Sequence, residues 1–310
     1  VLELLEALLY STLDAAPALV FAAVGAMFSE RAGVVNVGIE GMMRAGAFVA
    51  AVSALVMPTW LGVLCGMAAG AAVAAIHAGL SIHARADQVV SGIALNLVML
   101  ALGTFLLEAL FSPSGSTPIT QLTRWSVPGL DAIPLVRALG HHSALTYLAI
   151  GLPFLAHAVV YRTAWGLRLR AVGEKPAAVA VMGISVFRLR YGAVLISGAL
   201  AGLGGAALST AMLDRFEHHM PSGLGFMAVA AMILGRWTPL GAAAAAAFFA
   251  FANALRIGLT SSLPQVSEVI PQGVLLALPY LLTLALLAWQ GKCGGGAPAA
   301  LGSSYNPELR

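Results

Sequence analysis

Apolar residues run along this chain in blocks close to the roughly 20 residues a helix needs to cross the hydrocarbon of a bilayer, and short polar stretches separate the blocks. The blocks predict spans at 4–28, with Asp14 and Pro17 interrupting, then at 34–57, 61–82, 89–111, 144–161, 191–213, 240–259 and 273–289. Another stretch, 223–234, is too short for a full crossing. The expected fold is therefore all-α: a polytopic membrane protein of about nine transmembrane helices, interrupted and short ones included. Residues 1–290 are expected to form one transmembrane domain, and the Gly-rich polar tail 291–310 to be disordered.

The polar stretches set the orientation. Residues 162–190 carry Arg162, Arg168, Arg170, Lys175, Arg188 and Arg190, and loops rich in Lys and Arg stay cytoplasmic. Within this loop Pro176 suits the first turn of a short helix and Gly183 its end. Such a helix reads as a docking element; the plainer alternative is a solvated connector. Glu3 and Glu6 at the head of the first block have no balancing base, so the leading end is expected outside, on a flank wrong for a signal peptide. The Pro-, Ser-, Gly- and Thr-rich segment 112–142 is expected to be an external loop with order near Trp125.

Composition agrees with a membrane protein. The chain is 60% hydrophobic and only 9% charged, against about 25% charged residues in ordinary soluble domains, and its mean hydropathy is +0.91. The net charge of +3 then reflects cytoplasmic anchors rather than an affinity for nucleic acid. Cys65 and Cys293 support neither a disulfide framework nor a thiolate metal site. His141-His142 and His218-His219 fall in external loops, where adjacent side chains diverge, so no metal is expected.

Two places break the apolar pattern at membrane depth. One is Ser29 to Arg44, with four charges and three glycines, and the other is Gly223 to Leu234. Thr59-Trp60-Leu61-Gly62 and Thr238-Pro239-Leu240-Gly241 open similar small-residue helices predicted to run in opposite directions, which suggests an inverted repeat. Inverted repeats place the solute path between their halves, and interrupted segments at corresponding positions point to it.

Asn36, Glu40 and Arg44 share one helical face, and ionisable groups in spans usually face a bundle interior or wet cavity. Two readings stand: Asn36 and Glu40 border a substrate path, or Glu40 and Arg44 form a structural ion pair. Asn96 and Asn253 are further path candidates. For these and Glu108, a helix-to-helix hydrogen bond is the plainer role. No Gly-x-x-x-x-Gly-Lys-Ser/Thr loop is present, so if ATP drives this protein another chain binds it.

Ser29-Glu30-Arg31-Ala32-Gly33-Val34-Val35-Asn36-Val37-Gly38-Ile39-Glu40-Gly41-Met42-Met43 resembles the signature of the second permease subunit of bacterial nucleoside ABC importers, fed by basic-membrane-protein-type lipoproteins. Asp87 to Asn96, Trp165 to Glu174 and Gly235 to Gly241 extend the likeness across nearly the whole chain. Relatives usually carry Gly-Glu-Asn-Pro where this chain has Gly173-Glu174-Lys175-Pro176, so an Asn that could cap the following helix is missing. The resemblance implies a multi-pass subunit of the bacterial inner membrane that does no bond-making chemistry and binds no cofactor. Its implied partners are a sister permease in a heterodimer, ATP-binding subunits that hydrolyse the ATP, and an external substrate-binding lipoprotein. Gly173, Glu174, Lys175, Pro176 and Gly183 would lie in the element coupled to the ATPase. Simple sugars or branched-chain amino acids are alternative substrates within the same superfamily. The competing class is an ion-coupled transporter using Glu40 and Glu108; a membrane enzyme is more distant, lacking an acid–base pair.

Overall fold

The computed structural model describes residues 2–111, 118–126, 136–262 and 296–306. The expected span 273–289 lies outside them. The described chain is helical apart from one small hairpin: α1 Leu2–Arg31, α2 Ile39–Ala54, α3 Thr59–Ala78, α4 Gln88–Leu110, α5 Ala144–Arg162, α6 Ala164–Glu174, α7 Pro176–Val181, α8 Val186–Ala207, α9 Leu224–Leu234 and α10 Pro239–Ser262. α3 and α8 each continue into a π turn, Gly79–His83 and Leu208–Met212. Six of these helices are long and apolar enough to cross a membrane; α2 and α9 are shorter.

Local chemistry places the boundaries. The Asp87 carboxylate accepts the backbone N–H groups of Val89 and Val90 at 2.9 Å and starts α4. Thr163 separates α5 from α6, its hydroxyl accepting from the Gly166 N–H at 3.1 Å. Pro176 opens α7, where its missing N–H costs nothing.

The centre of the bundle is a crossing of α2, α3 and α8 with almost no side chain between them. A Cβ built on Gly202 of α8 would lie 2.5 Å from the Gly66 carbonyl oxygen of α3, and Gly46, Gly70, Gly198 and Gly205 are similarly closed against backbone. Small residues allow this approach where lipid supplies no hydrophobic drive between helices. α3 and α2 pack on α8, while α10 and α9 pack on α1.

One end of the bundle gathers the last turn of α1, helices α5 to α7, the start of α8 and the end of α9. Arg31 donates to the Trp237 carbonyl at 2.7 Å and to the Tyr161 hydroxyl at 3.2 Å. At the other end the 118–126 segment ties three elements together. The Ile119 N–H reaches the Asp214 carbonyl and the Leu122 N–H that of Thr210, while Arg124 pairs with Asp14 at 3.4 Å. Order around Trp125 takes the form of a two-stranded antiparallel hairpin, β1 Arg124–Ser126 with β2 His141–Ser143.

Of the tail 291–310, residues 296–306 are described. Residues 296–306 lie against α6, the 32–38 loop and α8, bonded through their backbone. A Gly-rich composition predicts disorder only where the backbone has no partner, and here α6 and the loop supply carbonyls.

Candidate functional site

After Arg31 the chain does not turn back at the surface. It enters the bundle through Ala32–Gly38, helped by Gly33 at φ 84°, and Asn36 becomes fully buried. The Asn36 amide donates to the Ser197 hydroxyl at 3.0 Å. Ser197 lies eleven residues into α8, about 16 Å from its start at 1.5 Å per residue. Val35 is held from two sides: its N–H donates to Gln88 at 2.7 Å, and its carbonyl accepts from His77 Nε2 at 3.0 Å. That bond fixes the imidazole tautomer, so Nδ1 accepts from the Ser91 hydroxyl at 3.1 Å.

α2 therefore begins inside the bundle, and so does α9, whose eleven residues span only about 16 Å. Glu40 joins their starts. One carboxylate oxygen accepts the Gly223 N–H and the other the Gly225 N–H, each at 2.7 Å. These are N–H groups that the first turn of a helix leaves unpaired, at its positive dipole end, where a carboxylate is favoured. Gly225 is in close contact with α2, since a Cβ there would sit 2.6 Å from the Glu40 backbone.

The ion pair expected between Glu40 and Arg44 is not made as a direct contact, although the two charges still interact. Arg44 is not in salt-bridge contact with Glu40: it donates to the His218 carbonyl and lies over the Phe216 ring, 5.8 Å from its centroid. Spacing at i,i+4 puts the two side chains on one face, but two backbone donors at a helix start compete more effectively for the carboxylate.

Of the other path candidates, Asn96 braces the same junction from α4, accepting from the Gly41 N–H at 2.8 Å and donating to the Val37 carbonyl at 2.9 Å. Glu40, Arg44, Asn96 and Phe226 line a cavity of about 230 Å³. Asn253 lies elsewhere, bonded to Arg256 at 3.0 Å beside a 430 Å³ cavity between α1, α9, α10 and the 217–222 segment. Asn36 is closed off from solvent in this conformation. Glu108 is exposed on α4.

Sequence reasoning passed over Glu30, Trp237 and Arg190. Glu30 accepts from Trp237 Nε1 at 2.6 Å, holding Arg236 and Trp237 in left-handed backbone conformations, φ 58° and 53°, that cost non-glycine residues of order 1–3 kcal/mol. Their signal was a charged pair before one break and a Gly-Arg-Trp turn at the end of the other short helix. In the 162–190 loop, Glu174 accepts from the Ala299 N–H at 3.2 Å, and Gly173 abuts the Arg31 carbonyl. Lys175 alone separates α6 from α7, which Pro176 opens, and Gly183 follows the end of α7 at φ 75°. Val181 and Met182 there are each 77% exposed. Among the described residues no three His, Cys, Asp or Glu side chains come together.

Six apolar helices long enough to cross a membrane, packed around two short ones that begin within the bundle, define a polytopic membrane protein. The chain belongs to the family described as branched-chain amino acid transport system / permease component, whose model matches residues 8–279. It is thus a multi-pass membrane subunit of an ABC transporter and not an enzyme. It is 39% identical to the guanosine ABC transporter permease protein NupQ of Bacillus subtilis, over 98% of each chain. It is 38% identical to the nucleoside ABC transporter permease protein NupC of Lactococcus lactis, over 96% of this chain and 94% of that one. A putative glucose ABC transporter permease protein of Haloferax volcanii, TsgC13, is 36% identical over 97% and 98%.

Proposed function

We propose that this chain is one of two permease subunits of an ATP-driven importer of the bacterial inner membrane, and that its cargo is nucleosides. The observation carrying the cargo is near full-length similarity to permeases named for guanosine and for nucleosides. The existence of a second, more distant relative from Lactococcus lactis, nucleoside permease NupB, at 26% identity, supports pairing with a sister subunit. The apolar flank of α4 beside the Glu40–Asn96 cavity is the face such a sister would cover.

The two halves support an inverted repeat. In each, a long helix (α1, α8) leads through a break to a short one (α2, α9) and then a small-residue helix (α3, α10), and each half packs α3 or α10 on the other half's long helix. The solute path then runs by the junction of α2 and α9, with Glu40 and Asn96 bordering it and Asn253 nearer the external mouth. ATP is bound and hydrolysed by partner subunits seated on α6 and α7, whose exposed Val181 and Met182 supply an apolar contact. This chain needs no cofactor of its own. A substrate-loaded lipoprotein docks at the opposite end, near the Trp125 hairpin.

The test is uptake of labelled guanosine by proteoliposomes holding the whole importer, with excess unlabelled nucleosides, glucose or leucine as competitors. Inhibition by nucleosides alone is expected. No uptake of labelled guanosine, beside uptake of labelled glucose by the same proteoliposomes, would replace the cargo with a sugar, as the name of the Haloferax volcanii relative suggests for that protein.

A further inference from the structure

The segment 296–306 makes a bond to the coupling helices and a bond to the broken loop within a few residues of each other. On one side the Ala300 N–H donates to the Gly173 carbonyl at 2.8 Å and the Ala299 N–H to Glu174 at 3.2 Å. Gly173 lies in the last turn of α6, where helix geometry leaves carbonyls without partners. On the other side the Gly302 N–H donates to the Gly33 carbonyl at 3.2 Å. The Arg190 guanidinium, only 2% exposed, donates to the Ser303 carbonyl at 3.0 Å. The ring of Tyr305 rests against Phe187 with centroids 5.9 Å apart.

We infer that residues 296–306 act as a strap that transmits movement of α6 and α7 to the Gly33–Asn36 loop, with Arg190 as its positioning residue. The alternative route is the direct contact of Gly173 with the Arg31 carbonyl. That contact is steric: it can push the loop but cannot pull it. Hydrogen bonds at both ends of the strap make the link act in both directions. A coupling element that must both open and reset a transport path needs that. Three residues beyond Gly33 is Asn36, bonded to α8, and four beyond that is Glu40, bonded to α9. A pull at Gly33 is thereby delivered to the start of α2. Arg190 sits one turn into α8, and its buried charge keeps the Ser303 carbonyl in place, while the bonds to the Gly173 and Gly33 carbonyls are neutral.

This inference rests on α6 and α7 being the seat of the ATPase, so the experiment reads docking and transmission separately. The whole importer is reconstituted with five variants of this chain: removal of 296–310, Ala300→Pro, Arg190→Gln, Arg190→Lys and the double change Val181→Asp, Met182→Asp. Co-purification of the ATPase reports docking, and solute transported per ATP hydrolysed reports transmission. Removal of 296–310 and Arg190→Gln are expected to keep the ATPase and its basal rate while uptake per ATP falls about tenfold. Arg190→Lys, which still donates to Ser303, is expected to recover part of it. Ala300→Pro removes the single bond to Gly173 and is expected to lower the ratio even if the truncated chain fails to assemble. A wild-type ratio in the assembled truncation, or in Ala300→Pro when the truncation does not assemble, overturns the strap. Retention of the ATPase by a Val181→Asp, Met182→Asp chain overturns the docking reading, and the strap falls with it.

Discussion

Replacing Glu40 and Arg44 separately and together distinguishes a carboxylate that closes a helix start from one that pairs with an arginine. In the structure Glu40 satisfies two N–H groups, those of Gly223 and Gly225. Each buried N–H left without an acceptor costs about 1–3 kcal/mol, so Glu40→Ala is expected to cost about 2–6 kcal/mol and Glu40→Gln, which keeps one acceptor, about half of that. Arg44 gives up a bond to the His218 carbonyl, a loss of about 1–3 kcal/mol for a charged donor. Because the two groups bond to different backbone atoms, the Glu40→Gln, Arg44→Gln chain should be less stable than either single variant. A buried ion pair behaves oppositely: each single change strands a charge at about 3–5 kcal/mol, and the double change recovers much of it. The assay is thermal melting of the purified complex for all four species. A double variant that melts above either single one would refute the assignment of Glu40 to the start of α9.

At the glycine crossing, Gly202→Leu should prevent accumulation of folded protein, while Gly192→Ala, which meets nothing within 4 Å, should melt close to the parent; the check is fluorescence-detected size exclusion on both. Asn36→Ala and Ser197→Ala remove the same bond, so each should cost about 0.5–1.5 kcal/mol; the pair together should cost no more than either, and additive losses would show that the bond is not shared. Cysteines at Ser126 and at Ala178, in a chain lacking Cys65 and Cys293, should be labelled from opposite faces by an impermeant thiol reagent, with Ser126 reacting in whole cells; labelling of both from outside would overturn the orientation.

Much of this architecture is legible in the residues. Lengths of apolar runs located the long helices to within a few residues, because burial in lipid demands a continuous run. Asp87, Thr163 and Pro176 mark helix starts by local chemistry that needs no knowledge of the fold. The junction was half legible: glycines and charges at 33–44 and the short block at 223–234 marked both breaks. What they could not supply was the bond between them, since the partners of Glu40 are backbone atoms more than 180 residues away and backbone has no sequence signature. The i,i+4 rule therefore nominated Arg44, the nearest side chain of opposite charge. The contacts of the 296–306 segment are hidden for a related reason. Its bonds are made by amide groups common to every residue, so composition carries no trace of them.

The glycine crossing also bears on how the protein is made. Asn36 and Ser197, which meet beside it, are separated by 161 residues, and chains are synthesised at about 5–20 residues per second, so roughly 8 to 32 s pass between their appearance at the ribosome. Once α3 has been made within that interval, the glycine groove destined for α8 has no occupant except lipid or the insertion machinery until α8 follows. Acyl chains fit such a cleft poorly, because its floor is peptide carbonyl rather than side chain. The first half of the chain is thus a nascent intermediate whose open groove is the one that becomes the tightest seam.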